Sequence, residues 1–358
     1  MSINPIDFYN ELSKNSISFF AGVPDSLLKE FCLCLDAEIP KNNHIITANE
    51  GNAIALAAGY YLAKKSLPLV YMQNSGLGNA INPLLSLCDP EVYSIPMIVM
   101  IGWRGEPGVK DEPQHVKQGK IQLKLLDAMG IPFIVLSKED KNFKSKISKI
   151  IKVSIKEKRP VAVLIKKGTF NKYNKDEISP KKTELMSREE ALEIVLKSIH
   201  KNSIIISTTG KTSREVFEIR ERNKQSHNQD FLTVGSMGHC SSIALGIAIA
   251  KPNRKIVCID GDGSLLMHFG SLTSAISIKP KNFYHILMNN EVHESVGGQE
   301  TAARYLNITK IVDAIGARNT FKAKNITQID ININKFLNST GPSFFEIKIK
   351  PGSRKNLS

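Results

Sequence analysis

The sequence predicts an α/β protein of two doubly wound, parallel-sheet domains with no middle domain between them. Short apolar β-type runs alternate with amphipathic helical stretches along nearly the whole chain. Those runs are continuous rather than alternating, as in strands covered by helices on both faces. A polar stretch without apolar period, Asn171 to Met186, then splits the alternation into two similar halves.

In the first half, strands are expected at Ser18–Ala21, Ile45–Ala48, Leu69–Met72, Met97–Ile101, Phe133–Leu136 and Val161–Ile165. Helices are expected at Ser26–Leu35, Asn52–Ala63, Asn79–Leu87 and Lys144–Lys156. Ser187, with Glu190 three residues on, reads as a capping box opening a helix over Arg188–Ile199. Later strands are expected at Ile204–Ser207, Phe231–Val234, Lys255–Ile259, Phe283–Met288, Thr320–Ala323 and Ser343–Ile349. Helices between and after them are Arg214–Glu221, Ser241–Ala250, Leu265–Ser277, Ile308–Ile315 and Ile326–Leu337. The boundaries expected are therefore 1–170, a linker at 171–187, and 188–358.

Composition narrows the function classes. No apolar run approaches the ~20 residues that span a bilayer, and the N-terminus carries Asp7 without a basic-then-apolar signal. A cytoplasmic protein without membrane contact is expected. Five cysteines, without paired spacing, argue against a disulfide framework and read as small buried side chains. The formal charge of +14 raises nucleic-acid binding, but the lysines are scattered without interleaved aromatics. A lysine-rich proteome, or a preference for anionic small molecules, explains that charge more simply.

The strand Lys255–Ile259 ends in Asp260-Gly261-Asp262-Gly263-Ser264, and a helix follows. Glycines at such a junction let the backbone approach phosphate oxygens, and the helix N-terminus offers free N–H groups. Asp262 offers a hard oxygen ligand for Mg²⁺. One helix and one strand later, Asn289-Asn290-Glu291-Val292 offers the Asn290 amide oxygen and the Val292 carbonyl. Asp-Gly and Asn-Asn are each also ordinary turn formers; their pairing at two buried strand ends favours a metal–diphosphate site. Gly210-Lys211-Thr212 mimics the tail of a P-loop, but position 205 is Ile. Neither GDGSLL nor GSMGHC completes G-x-G-x-x-G.

The GDG…NN pair resembles the diphosphate-binding motif of the thiamine-diphosphate-dependent enzymes. That resemblance implies Asp262, Asn290 and the Val292 carbonyl as Mg²⁺ ligands, with Gly261, Gly263 and Ser264 against the diphosphate. It places the activating acid at Glu50, which follows the strand Ile45–Ala48 and precedes an apolar helix; a solvated first-turn glutamate is the other reading. Such an acid must favour its protonated form to polarise the aminopyrimidine. Gly235-Ser236-Met237-Gly238 resembles the family's G-S-x-G, with Met237 wedged under the bent cofactor and the Gly235 carbonyl accepting from its amino group. Met237 is otherwise a core residue. Asn74, Ser75 and Gly76 line the thiazolium side, and Gly210 and Lys211 stand near the cofactor. Because sites in this family form between subunits, a homodimer or dimer-based oligomer is implied.

Several segments resemble the phosphonopyruvate decarboxylase branch, with the sulfopyruvate decarboxylases close by. They are FAGVPDS from Phe20, GWRGEPG from Gly102, DEPQH from Asp111, TTGKTSR from Thr208, NEVHES from Asn290 and KPGSRK from Lys350. The implied reaction converts 3-phosphonopyruvate to phosphonoacetaldehyde and carbon dioxide with thiamine diphosphate and Mg²⁺, in phosphonate biosynthesis. Proton handling then falls to Asp25, His115, His293 or Glu294. A phosphonate needs cations or amide donors; Lys211 is the first choice and Arg104 the second. Lys211 is equally placed to hold the cofactor's own diphosphate.

Overall fold

Covered on both faces, the apolar runs pair into two six-stranded parallel sheets in the computed structural model, which describes residues 2–173 and 184–357. The chain divides into two compact units, Met1–Ile178 and Ser179–Ser358. The expected linker falls mostly on 174–183, outside the described residues.

The first unit contains β1 (Phe20–Gly22), β2 (His44–Ile46), β3 (Leu69–Gln73), β4 (Met97–Gly102), β5 (Phe133–Leu136) and β6 (Pro160–Ile165). Its helices are α1 (Pro5–Lys14), α2 (Lys29–Glu38), α3 (Glu50–Lys64), α4 (Leu77–Pro83), α5 (Pro113–Ala128) and α6 (Phe143–Glu157). Strand order is β2-β1-β3-β4-β6-β5, every pair parallel. Strands β4 and β6 are buried at every position, which is why their sequences do not alternate. After β1 the chain adds β2 on one side and then returns to place β3 on the other. Loops at the carboxyl ends of β1 and β3 therefore diverge, the arrangement that opens a ligand crevice.

The second unit contains β7 (Ile204–Ser207), β8 (Asp230–Leu232), β9 (Ile256–Gly261), β10 (Phe283–Asn289), β13 (Asn319–Ala323) and β14 (Ser343–Lys348) in one sheet. A small antiparallel pair, β11 (Val292–His293) and β12 (Gln299–Glu300), follows β10. Helices are α7 (Arg188–Ser198), α8 (Lys211–Arg222), α9 (Cys240–Ala250), α10 (Asp262–Met267), α11 (Ser271–Ile278), α12 (Ile308–Ala314) and α13 (Ile326–Asn338). The order β13-β14-β10-β9-β7-β8 reverses direction between β7 and β9. Helix α7 opens with the expected capping box of Ser187 and Glu190.

Five local features depart from the sequence expectation. Helix α2 begins at Lys29 rather than Ser26, because Asp25 takes the Leu27 N–H on its side chain and the Leu28 N–H on its carbonyl. Helix α5 buries only Gly119, Gln122 and Leu126, too thin an apolar stripe to read. The single helix expected over Leu265–Ser277 is two, α10 and α11, broken where His268 leaves helical geometry. Strands β11 and β12 are two residues each, below the length at which a period exists. Helix α1 was not expected either, although Asn4 caps it and Pro5 opens it.

One aromatic cluster anchors the first unit. The Phe8 ring of α1 lies 5.3 Å from Phe31, 5.2 Å from Phe170 and 6.1 Å from Phe143. Phe8→Ala is therefore expected to destabilise this unit by about 3–5 kcal/mol, measured as a lowered urea midpoint. A loss below about 1 kcal/mol, the ordinary surface range, would show that the cluster is not the anchor.

Candidate active site

The first unit's expected site residues gather at the carboxyl ends of β1 to β4. Glu50 opens α3 behind the Asn49 cap, whose side chain accepts the Asn52 N–H. Its carboxylate is only 4% exposed, so the solvated first-turn reading fails. Asn79 Nδ2 donates to Glu50 Oε2 at 2.8 Å. Gly76 packs against the same carboxylate, and a methyl group there would collide with it. Burial pushes the Glu50 carboxyl above its usual range, and the Asn79 amide pulls the other way.

Asp25, just past the end of β1, is fully buried. Gln73 Nε2 donates to its Oδ1 at 2.7 Å, and Ser75 Oγ donates to Gln73 Oε1 at 2.6 Å. Burial again raises the carboxyl, opposed by Gln73 and the Leu27 N–H. Gly102 leaves room for it at the end of β4. Asn74 Nδ2 donates to the Arg104 carbonyl at 2.8 Å, and Asn74 Oδ1 accepts the Arg104 N–H at 3.2 Å. Asn74 thus fixes the backbone turn that carries Arg104.

The Arg104 guanidinium grips Asp111: Nε lies 2.8 Å from Oδ2, and Nη2 also pairs with Oδ1. Nη1 donates to Ser26 Oγ at 2.9 Å, and the Gly105 N–H donates to Asp111 Oδ2 at 2.7 Å. This pairing holds the Asp111 carboxyl well below the usual carboxylate range. His115, in the first turn of α5, is lowered by burial and then by Arg104 nearby. Its Nδ1 is buried without a hydrogen-bond partner.

The second unit assembles its site at the ends of β7, β9 and β10. Asp262 is 3% exposed and accepts from Thr301 Oγ1 on Oδ2 at 2.5 Å. Burial pushes its carboxyl up to about 6, against the Thr301 hydroxyl and the Asn290 N–H. A carboxylate buried among neutral donors is a poor place for bare charge and a good one for a cation. Glu291 turns the chain at φ 64°, and Asn290 Oδ1 accepts the Val292 N–H at 3.2 Å. Ser264 Oγ accepts from Thr208 Oγ1 at 2.9 Å and from the Gly238 N–H at 3.1 Å.

Met237 and His293 converge on Gly263. A methyl group at Gly263 would lie 3.3 Å from Met237 Cε and 3.1 Å from the His293 ring. Burial pushes His293 down to about 4, so the imidazole is neutral at physiological pH. Gly235 and Ser236 lead into Met237, with Ser236 at φ 54°. Gly210, at φ 91°, precedes α8, whose first residue is Lys211.

Lys211 Nζ lies 2.7 Å from Glu294 Oε1. Glu294 Oε2 accepts from Arg188 Nη1 at 3.1 Å and Asn290 Nδ2 at 2.9 Å. Arg188 turns its remaining edge to Glu215, at 2.7 and 3.0 Å. Burial works to raise the Glu294 carboxyl, but Lys211 and Arg188 prevail and lower it. Asn79, Gln73, Asp111, Arg188, Glu215 and Thr301 carry no expectation from sequence. Only Asp111 lay within a quoted segment, and the others act through partners at least 27 residues away.

Residues 7–130 match the thiamine pyrophosphate enzyme N-terminal TPP binding domain, and residues 208–347 the C-terminal TPP binding domain. The chain is 31% identical to phosphonopyruvate decarboxylase of Streptomyces viridochromogenes, over 99% of this chain and 90% of that protein. The corresponding enzyme of Streptomyces hygroscopicus is also 31% identical, over 98% and 88%. Sulfopyruvate decarboxylase of Methanosarcina acetivorans is 27% identical, over 98% and 92%.

The raised Glu50 carboxyl has a consequence for stability. A raised acid leaves folding least burdened below the unfolded value of about 4.5, and the burden grows as pH rises and the group ionises. Glu50→Gln is expected to raise the melting temperature of the cofactor-free chain near pH 8 and to lose that gain toward pH 4. An unchanged melting temperature across this range would show that Glu50 is not strained. A buried acid whose carboxyl burial raises, two matched cofactor-binding domains and near-full-length relatives lead to one assignment: the chain belongs to the thiamine-diphosphate-dependent 2-oxo acid decarboxylases.

Proposed function

We propose that the chain decarboxylates 3-phosphonopyruvate to phosphonoacetaldehyde and carbon dioxide, using thiamine diphosphate and Mg²⁺, as a step of phosphonate biosynthesis. The observation that carries the substrate is the similarity over 99% of the chain to a phosphonopyruvate decarboxylase. Thiamine diphosphate, when bound, supplies the electron sink that lets carbon dioxide leave. Glu50 holds a proton at its buried carboxyl and gives it to the aminopyrimidine ring. Asp262, the Asn290 amide oxygen and the Val292 carbonyl hold Mg²⁺; Gly261, Gly263 and Ser264 receive the diphosphate. Met237 supports the bend of the cofactor, the Gly235 carbonyl accepts from its amino group, and Asn74, Ser75 and Gly76 border its ring.

Asp25 and His115 are the preferred proton-handling groups. Asp25 sits in a relay of Ser75 and Gln73, and its raised carboxyl keeps a proton available nearer neutrality. His293, kept neutral by burial and packed on Gly263, carries no imidazolium proton to deliver, and the same burial disfavours its taking one up. Glu294, ionised between Lys211 and Arg188, serves better to aim Lys211 than to protonate a product. Lys211 is the preferred phosphonate anchor, since one of its three donors meets Glu294 while Arg104 is committed to Asp111 and Ser26. The chain's segments 1–170 and 188–358 act as the pyrimidine and diphosphate domains, joined by 171–187, and a homodimer or dimer-based oligomer completes each site. The buried free thiols suit a reducing cytoplasm.

A sulfopyruvate decarboxylase is the second reading, favoured by the 27% identity to such an enzyme. Phosphorus NMR of the chain with thiamine diphosphate, Mg²⁺ and phosphonopyruvate is expected to reveal phosphonoacetaldehyde. Parallel assays with sulfopyruvate and pyruvate are expected to run far slower; faster sulfopyruvate turnover reverses the substrate assignment.

Glu50→Gln is expected to keep cofactor binding while losing most turnover, and near-normal kcat removes the role given to Glu50. Asp262→Ala is expected to weaken Mg²⁺ binding; unchanged Mg²⁺ affinity removes Asp262 from the metal set. Lys211→Met is expected to raise KM for phosphonopyruvate at least about tenfold, the loss of one charge-assisted contact, with a smaller effect on pyruvate. Equal effects on both substrates place Lys211 on the cofactor instead.

A further inference from the structure

The second unit buries four potential metal ligands on one face of its sheet that the decarboxylation chemistry does not use. Alternation along β9 turns Cys258 and Asp260 to the same face, and the register sets His285 of β10 directly across from Cys258. Cys240, the first residue of α9, brings its Sγ to 3.3 Å from Cys258 Sγ. All four residues are at most 1% exposed. Ligand atoms of Cys258, Asp260 and His285 lie within 4.8 Å of one another.

Their hydrogen bonding is incomplete in one direction. Asp260 Oδ1 accepts the Gly261 N–H at 2.9 Å, but Oδ2 has no hydrogen-bond partner. Neither ring nitrogen of His285 has one. His285 Nε2 stops 3.4 Å from Asp260 Oδ2, beyond a good N–H···O hydrogen bond. Buried polar atoms left open together call for an ion or water between them. The Cys258 thiol, the His285 imidazole and the Asp260 carboxylate make a mixed sulfur, nitrogen and oxygen set, which matches Zn²⁺ rather than the oxygen-seeking Mg²⁺.

We propose that Cys258, Asp260 and His285 form a buried zinc site in the second unit, distinct from the Asp262 set, with Cys240 Sγ packed against Cys258. Binding displaces the Cys258 thiol proton to solvent and leaves that ligand as a thiolate. The ion ties β9 to β10 beneath the turn that begins at Gly261.

Metal analysis of the full chain, purified with thiamine diphosphate and Mg²⁺ after growth with zinc, is expected to find one zinc per chain. Growth with Co²⁺ in place of zinc is expected to give a thiolate-to-cobalt charge-transfer band with tetrahedral ligand-field bands. The Asp262 set offers only oxygen donors and cannot produce the sulfur band. Asp262→Ala should keep that band, and Cys258→Ser should weaken or abolish it. If the Cys258 variant does not fold, the spectrum of the unsubstituted chain decides by itself. A folded chain with no zinc and no sulfur-to-cobalt band overturns the proposal.

Discussion

The burial of two carboxylates among neutral donors shapes both halves of this protein. Glu50 has the Asn79 amide, and Asp262 has the Thr301 hydroxyl and the Asn290 N–H. Hydrogen bonds of that kind satisfy lone pairs without cancelling charge, so desolvation governs and both groups favour protonation. The same cause acts at both strand ends, at Glu50 after β2 and at Asp262 after β9.

Several other ionic groups are paired with opposite charges. Glu294 and Glu215 share Arg188, Lys211 takes the free oxygen of Glu294, and Arg104 grips Asp111. Partial burial of such pairs is costly, so they contribute position more than stability. The Glu294 cluster ties the start of α7, the start of α8 and the turn after β10 together. Arg104 and Asp111 likewise pin the glycine-rich loop after β4 to the approach of α5. Loops at strand ends would otherwise have no reason to hold one geometry.

Local chemistry made much of the fold legible. Continuous apolar runs such as Met97–Gly102 announce strands buried on both faces, and the structure buries all six of those positions. The Ser187–Glu190 cap was readable because both partners lie within one turn. Helix α5 escaped because few of its residues face the core. Strands β11 and β12 escaped because their pairing is decided by the turn after Asn290.

By itself, the sequence determined the cofactor class, the two-domain plan and the positions of Glu50, Asp262 and Asn290, since those depend on residue type at strand ends. Tertiary structure alone decided that Glu50 is buried at 4% exposure and that Asn79, Gln73, Thr301 and Arg188 are its and its counterparts' supports. It also decided that Arg104 is engaged by Asp111 and that Glu294 is ionised rather than acidic. Protonation state and ligand availability are set by desolvation and by partners tens of residues away, and neither quantity is written in the local pattern.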